Sequence, residues 1–177
     1  MWNPDTLQAY ERLIASLIRE SDVQAMSEMK QHTKGVSCLD HSLFVSYLSF
    51  SMCRRWHLDD KAAARAGLLH DMFLSDREEN GMGLWKHLRI HPQMALENAR
   101  EFGLSDLEKD IILKHMWPVT ITKLPRHRES LVVNLADKIC TVCEVLRLYQ
   151  VLGVRKRLGR FNLSICHNIP SAAKCQV

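Results

Sequence analysis

Apolar side chains recur along this chain at the spacing of an α-helix, and no stretch alternates long enough to predict a strand. A first stripe follows Asn3-Pro4, a pair typical of a helix N-terminus. Its members are Leu7, Tyr10, Ile14, Leu17 and Ile18. Further helices are predicted over about 22–31 and, after the break at Lys34-Gly35, over about 39–56. The first third of the chain is therefore predicted to be helical.

Two more helices are predicted in the middle of the chain. Asp59 can cap a fourth helix that ends near Asp71. A fifth helix is predicted to begin at His91-Pro92, because proline is favoured at the first helical position, and to end at Gly103. The polar stretch 73–83 between them contains two glycines, and it is predicted to be an exposed loop and a candidate active-site lid.

The last third of the chain continues the helical pattern. Ser105 to Glu108 has the form of a capping box, which opens a sixth helix reaching to about position 116. Pro118 and Pro125 bracket a second loop, and the seventh and longest helix is predicted over about 128–150. The sequence thus predicts an all-α fold, a single helical bundle with polar side chains entering its core.

Length and composition agree with one globular domain. The chain has 177 residues, of which 46% are hydrophobic and 25% charged. We expect a catalytic domain over 1–150, with its motifs in about 30–150, and a basic C-terminal segment over 151–177 that is not a separate domain. No apolar run is long enough to cross a membrane, and the N-terminus lacks the pattern of a secretory signal. The sequence therefore predicts a cytoplasmic protein with no membrane partner.

Positive charge accumulates towards the C-terminus. The formal net charge is +4, and no acidic residue follows Glu144. The basic residues in this part are Arg147, Arg155, Lys156, Arg157, Arg160 and Lys174. Such a segment can bind RNA or phosphates, but it carries neither interleaved aromatic residues nor a nucleic-acid motif. A solvated helix face is therefore the favoured interpretation, and nucleic acid is not the expected partner.

Cys140-Thr-Val-Cys143 has the CxxC spacing of some zinc and redox sites. It lies inside the longest predicted helix, and the sequence contains no second CxxC pair to complete four ligands. Cysteine in a reducing compartment behaves as a small hydrophobic residue. A structural role in the core is therefore predicted for this pair.

Candidate metal ligands enter three of the predicted helices. His70-Asp71 follows a small and apolar run, and adjacent residues can reach one ion only near a helix end, where this pair is placed. His41 accompanies an apolar stripe, and Asp137 interrupts the run 131–136. A buried carboxylate is costly without a cation or hydrogen bonds, and metal sites in helical bundles are built from side chains on facing helices. Imidazole and carboxylate together suit Zn²⁺, Mn²⁺ or Fe.

The order of these residues resembles that of the HD superfamily. The resemblance covers about residues 30–150 and rests on His41, on Leu68-Leu69-His70-Asp71 and on Leu135-Ala136-Asp137-Lys138. It implies a helical, metal-dependent phosphohydrolase that acts on a small phosphorylated substrate such as a nucleotide. It also implies that His41, His70, Asp71 and Asp137 hold the metal.

Two further histidines fit the slots that hold a second metal in some members of the superfamily. His91 and His115 lie between His70-Asp71 and Asp137, and the resemblance implies that Asp71 bridges the two ions. The alternative is that either histidine caps a helix or lies on the surface. One or two divalent transition-metal ions (Fe, Mn or Zn) are therefore expected.

Roles in catalysis and substrate binding are assigned to five residues. Asp71 is expected to orient the attacking water and Lys138 to stabilise phosphoryl oxygens. Lys114, next to His115, is a second candidate cation. His32 and Arg77 are placed near the substrate, Arg77 because its planar fork suits a phosphate. Two other functions stay open, a mixed-valence di-iron oxygenase and a non-catalytic nucleotide or metal sensor, and the sequence predicts no particular oligomeric state.

Overall fold

The computed structural model describes residues 2–29, 35–72, 84–154 and 156–158, with the backbone alone at 84–87. These parts are mainly helical, which confirms the predicted all-α class. The α-helices are α1 (Pro4–Ile14), α2 (Ser21–Ala25), α3 (Cys38–Arg55), α4 (Asp60–Leu69), α5 (Leu84–Asn98), α6 (Asp106–Lys114), α7 (Arg128–Val145) and α8 (Leu148–Val151). Among the helices described, none has the length and apolar character needed to span a membrane.

The predicted helix starts coincide with side-chain caps. The Asn3 side chain accepts two backbone N–H groups at the start of α1. Asp59 accepts the N–H of Ala62 at 2.9 Å and opens α4. Ser105 and Glu108 form the reciprocal capping box of α6. These starts are confirmed because a cap depends only on residues within one turn of the helix end.

The first two helices are shorter than predicted. α1 ends at Ile14, and the next part of the predicted stripe forms a 3₁₀ turn over Leu17–Arg19. Glu20 then adopts an extended conformation before α2, which ends at Ala25 rather than near 31. Residues 30–34 lie outside the described part of the chain. The stripe remains buried because the turn keeps Leu17 and Ile18 in the core.

The predicted start of the fifth helix at His91-Pro92 is wrong. α5 begins at Leu84, and Pro92 lies inside the helix. Proline at such a position leaves the carbonyl four residues earlier, that of Leu88, without its helical partner, at a cost of about 3 kcal/mol. The same helix buries His91 and Ala95. We attribute the continuous helix to this packing, which a local end signal does not encode.

The predicted helix over 128–150 is two helices. α7 ends at Val145, Arg147 adopts a left-handed conformation with φ 57°, and α8 begins at Leu148. The break allows Tyr149 to turn inwards, where its ring meets Phe44 edge-on at 5.8 Å. A contact with α3, distant in sequence, therefore accounts for the break.

Helix α3 lies at the centre of the bundle and packs against α4 and α7, while α6 packs against α4 and α7. Its close approach to α4 depends on Gly67, where a Cβ atom would lie 3.0 Å from the Cα of Ser46. Ser46 Oγ donates to the carbonyl of Ala64 at 2.6 Å. These contacts hold the C-terminal half of α4 against the middle of α3.

The cysteines of the CxxC motif belong to the core, as predicted. Cys140 on α7 is fully buried, and Cys143 is partly buried and packs against the hydrophobic core. Both are free thiols, and neither belongs to a group of potential metal ligands in the described residues.

Candidate metal centre

The four residues of the first predicted ligand set meet in the interior. His41 comes from the first turns of α3, His70 and Asp71 from the end of α4, and Asp137 from the middle of α7. His41 Nε2 lies 3.2 Å from Asp137 Oδ1 and 3.9 Å from Asp71 Oδ2. His70 Nε2 lies 3.5 Å from Asp71 Oδ2 and 3.8 Å from Asp137 Oδ1. Imidazole nitrogens and carboxylate oxygens from three helices thus converge.

A second group forms on the other side of Asp71. His91 of α5 and His115 at the end of α6 place their Nε2 atoms 3.4 and 3.5 Å from Asp71 Oδ1. The two Nε2 atoms lie 2.8 Å apart. One carboxylate therefore turns Oδ2 towards His41 and His70 and Oδ1 towards His91 and His115. Each group has the composition and spacing to hold a metal ion.

Two of the histidines are oriented by backbone carbonyls of their own helices. His70 Nδ1 lies 2.9 Å from the carbonyl oxygen of Gly67, and His115 Nδ1 lies 2.7 Å from that of Ile112. A carbonyl only accepts, so Nδ1 carries a proton in both rings, which leaves Nε2 as the nitrogen that can ligate a metal. Both Nε2 atoms face Asp71, which is the arrangement that metal ligation needs.

Glu144 orients the third ring, and the sequence analysis did not assign it a role. His41 Nδ1 lies 2.7 Å from Glu144 Oε1, and both side chains are buried. Glu144 follows Asp137 by seven residues on α7, about two turns, so both carboxylates lie on one face of the helix. That spacing is the signal that could have identified it.

The carboxylates on α7 control the protonation of His41. Burial alone would lower its pKa, but hydrogen bonds and charge interactions with Asp137 and Glu144 raise the pKa of His41 to about 10. Burial opposes ionisation of Asp137, yet His41 and His70 hold the pKa of Asp137 well below its usual range. Without a cation a buried pair of opposite charges therefore links α3 to α7, and a metal ion held by Nε2 of His41 would replace its proton.

In the group formed by Asp71, His91 and His115, burial outweighs the attraction of the carboxylate for a protonated histidine. Burial, together with the nearby His91 and His70, lowers the pKa of His115 to about 3 despite the attraction of Asp71. Burial would raise the pKa of Asp71, but His70, His91 and His115 hold it well below its usual value. At neutral pH His115 is thus a neutral donor and Asp71 an ionised one, the forms that ligate cations.

The interior around Asp71 fits a divalent ion. Nε2 of His70 is buried and has no hydrogen-bond partner among the described groups, since its nearest carboxylate oxygens lie beyond hydrogen-bond distance. A buried nitrogen of this kind requires a partner. Nitrogen and oxygen donors in one cluster match the preference of Zn²⁺, Mn²⁺ and Fe.

Lys138, predicted to act on phosphoryl oxygens, lies beside the ligands. Its ammonium donates to Asp137 Oδ2 at 3.1 Å and to the carbonyl of His115 at 2.7 Å, and the side chain is partly exposed. Asn134, one turn earlier on α7, donates to the carbonyls of His115 and Trp117 at 2.5 and 2.6 Å. Hydrogen bonds from these two side chains thus connect the C-terminal end of α6 to α7.

The other predicted substrate-binding residues are placed differently. Lys114 forms an ion pair with Asp110, one turn earlier on α6. Asp110 also accepts hydrogen bonds from Ser130 Oγ at 2.7 Å and from the N–H of Arg126 at 3.3 Å. Lys114 is thus engaged in a link between α6 and α7, and its role in substrate binding stays a prediction. His32, Arg77 and the predicted lid 73–83 lie outside the described residues.

The family follows from a comparison of the sequence with family models. The model described as the HD domain matches residues 38–141, which run from the start of α3 into the second half of α7. The chain belongs to the HD domain family. This superfamily of metal-dependent phosphohydrolases is the one indicated by the order of His41, His70-Asp71 and Asp137.

Curated relatives of this HD domain carry the name ribonuclease Y. The protein of Lactobacillus gasseri is 32% identical over 119 residues, which are 64% of this chain and 21% of that protein. The protein of Desulforudis audaxviator is 27% identical over 154 residues, which are 86% of this chain and 28% of that protein. This chain therefore spans between about a fifth and somewhat more than a quarter of the length of these relatives. No solved structure matches it.

Proposed function

We propose that this chain is a hydrolase that cleaves a phosphate ester of a nucleotide with two divalent metal ions, and that residues 1–150 form its catalytic domain. The observation that carries the proposal is the placement of Asp71. Its two carboxylate oxygens lie 3.4 to 3.9 Å from the Nε2 atoms of two separate pairs of histidines. A shared carboxylate of this kind is how a protein holds two ions side by side.

Asp71 and the residues around it have different roles in the proposed hydrolysis. When bound, a pair of divalent ions supplies Lewis acidity towards a phosphoryl group and makes hydrolytic water available near neutral pH. Asp71, ionised at neutral pH, can accept a hydrogen bond from the attacking water and orient it. The ammonium of Lys138 is partly exposed beside Asp137 and can stabilise negative charge on a phosphoryl oxygen. His41, His70, His91 and His115 act as ligands in this proposal.

A nucleotide is the substrate class we favour, and RNA is the second candidate. Similarity to proteins named ribonuclease Y, which in one case extends over 86% of the chain and so includes the six proposed ligands, supports a phosphodiester within RNA. The excess of basic residues after Glu144 would suit the same substrate. The chemistry at the phosphorus is shared, so both candidates require the same metal centre.

Metal content tests the centre directly. Protein purified without oxygen should hold about two transition-metal ions per chain by elemental analysis. Asp71→Ala should lose both ions because its oxygens serve both groups, whereas His115→Ala should lose mainly one. His57→Asn is the matched control: His57 is exposed, and asparagine tolerates its positive φ of 56°. A protein that holds no metal, or an Asp71→Ala variant that keeps both ions, would contradict the proposal.

Activity tests the reaction class. In the presence of Mn²⁺ or Fe²⁺ the protein should hydrolyse at least one member of a panel of nucleotides, cyclic dinucleotides, dinucleoside polyphosphates and short RNA strands. Asp137→Ala should abolish turnover, and His57→Asn should not change it. Consumption of dioxygen with an organic substrate, without phosphate-ester cleavage, would favour the oxygenase. Nucleotide binding without turnover in the metal-loaded protein would favour the sensor.

A further inference from the structure

Helix α7 is apolar on the side that faces away from the bundle as well as on the side that faces it. Towards the core it buries Val132, Val133, Ala136 and Cys140. Outwards it exposes an apolar stripe, which consists of Leu131, Leu135, Ile139, Val142, Val145 and Leu146. A helix that is apolar all round is normally buried on all sides. The outer stripe is therefore a surface that another element can cover.

The stripe is long and carries few polar side chains. It extends over about 22 Å of helix; Lys138 lies within it, one turn from Leu135 and Val142, and Thr141 lies at its margin. The ammonium of Lys138 is held by Asp137 and by the carbonyl of His115, so it is drawn towards α6. The stripe continues onto α8 through Leu148 and Val151, which are also exposed. A phosphate backbone would find little there to bind, so the stripe is separate from the proposed use of the metal centre.

We propose that this stripe is the interface between two copies of the chain, which pack α7 against α7 in antiparallel orientation. The six apolar side chains of the stripe expose roughly 550 Å² together, so two copies would bury about 1,100 Å², above the roughly 1,000 Å² that a specific interface needs. A twofold axis between positions 138 and 139 pairs four of the six apolar residues with one another, while Ile139 faces Lys138 of the other copy, whose ammonium is held by Asp137. Leu131 meets Leu146 of the other copy, and Leu135 meets its Val142.

Self-complementarity is the reason for choosing a second copy as the occupant. A closed dimer uses the same patch on both subunits, so each residue must tolerate its mate across the axis. Four of the six apolar positions of the stripe are placed symmetrically about its midpoint, and the first charged residues beyond its ends are Arg128 and Glu129 on one side and Arg147 on the other. The stripe is thus matched to its own reversed copy.

The test is the association state of the full chain and of charge variants at one paired position. Sedimentation equilibrium should show a dimer for the unmodified protein. Leu135→Lys and Val142→Glu should each weaken association on the order of 100-fold or more, because each would place an unpaired charge in the interface. The double variant should recover the dimer, because each new lysine then meets the new glutamate of the other copy. Trp56→Glu is the control: Trp56 is 51% exposed, against 55% for Val142, but lies at the end of α3, and this variant should remain dimeric.

Several outcomes would overturn the proposal. A full chain that remains monomeric at the highest concentrations reached would do so, as would a dimer that neither single variant weakens. If both single variants dissociate and the double variant does not recover, the antiparallel pairing is wrong. A full chain that is monomeric but dimerises after removal of 159–177 would show that this segment, not a second copy, covers the stripe. Circular dichroism of each variant separates loss of association from loss of fold.

Discussion

At the scale of single residues, hydrogen bonds to the Nδ1 atoms of the histidine rings determine how those rings are oriented towards the metal centre. His70 and His115 use carbonyls of their own helices, whereas His41 depends on a side chain two turns beyond Asp137 on another helix. The backbone carbonyls cannot be removed by substitution. Glu144 can, so it is the residue through which the orientation of a ligand can be tested.

We expect Glu144→Ala to weaken metal binding by about 10- to 100-fold, because His41 would lose the acceptor that fixes its tautomer and ring orientation. Glu144→Gln should lose less, since the amide oxygen can still accept from Nδ1. Calorimetric titration of the metal-free protein with Mn²⁺ or Zn²⁺ measures both affinities. Glu97→Ala, an exposed substitution on α5, should leave affinity unchanged. Equal affinities in all variants would show that Glu144 does not position His41.

At the scale of helices, the separation of α3 and α4 sets the distance between His41 and His70. Gly67 permits that separation, because any side chain there would press on the backbone of Ser46. Gly67→Ala should therefore destabilise the fold by about 1–3 kcal/mol despite the better helix propensity of alanine. It should also lower metal content, since His70 hydrogen-bonds to the carbonyl of residue 67.

Denaturant unfolding and elemental analysis check this pair of effects. Lys61→Ala, at an exposed position of the same helix, should change neither quantity appreciably. If Gly67→Ala were more stable than the unmodified protein, α3 and α4 would have room that the structure does not show.

The link between α6 and α7 through Asp110 should depend on pH. Burial would raise the pKa of Asp110, but Lys114, Ser130 and the N–H of Arg126 lower it below its usual value. A lowered folded-state pKa contributes stability above the unfolded value of about 3.9, and this contribution is lost as pH falls through the folded value. Asp110→Asn should thus destabilise by about 1 kcal/mol at pH 7 and by much less near pH 3. Urea unfolding at both pH values measures this, and a difference that grows on acidification would contradict it.

At the scale of the whole molecule, binding of a cation between α3, α4, α5, α6 and α7 should stabilise the fold by mass action. A free ion concentration 100-fold above the dissociation constant contributes about 2.7 kcal/mol, which for a chain of this size is a rise in Tm of roughly 5–10 °C. Asp137→Asn should reduce the rise, and His57→Asn should not. Differential scanning calorimetry with and without Mn²⁺ decides it, and equal Tm values would argue against a site within the bundle.

The sequence predicted those features of the molecule that depend on neighbours in the chain. The cap at Asp59 and the capping box at Ser105 were correct because a turn of helix is decided within a few residues. The break at Arg147 could not be predicted, since it follows from a ring contact between α3 and Tyr149. The spacing of Glu144 from Asp137 places it on the ligand face of α7, but its partner His41 lies 103 positions away and could be identified only from the structure.

The ends of α4 and α6 point at the centre, with consequences for the order in which molecules arrive. His70 and His115 are the residues that close these helices, so the partial negative charge of two helix C-termini adds to the carboxylates of Asp71 and Asp137. Lys138 is already committed to Asp137 and to the carbonyl of His115. Without cations, the negative charge around the pocket thus disfavours the binding of a phosphate anion. In the proposed function we therefore expect a phosphate substrate to bind after the cations, because they offset the negative charge of Asp71, Asp137 and the two helix ends.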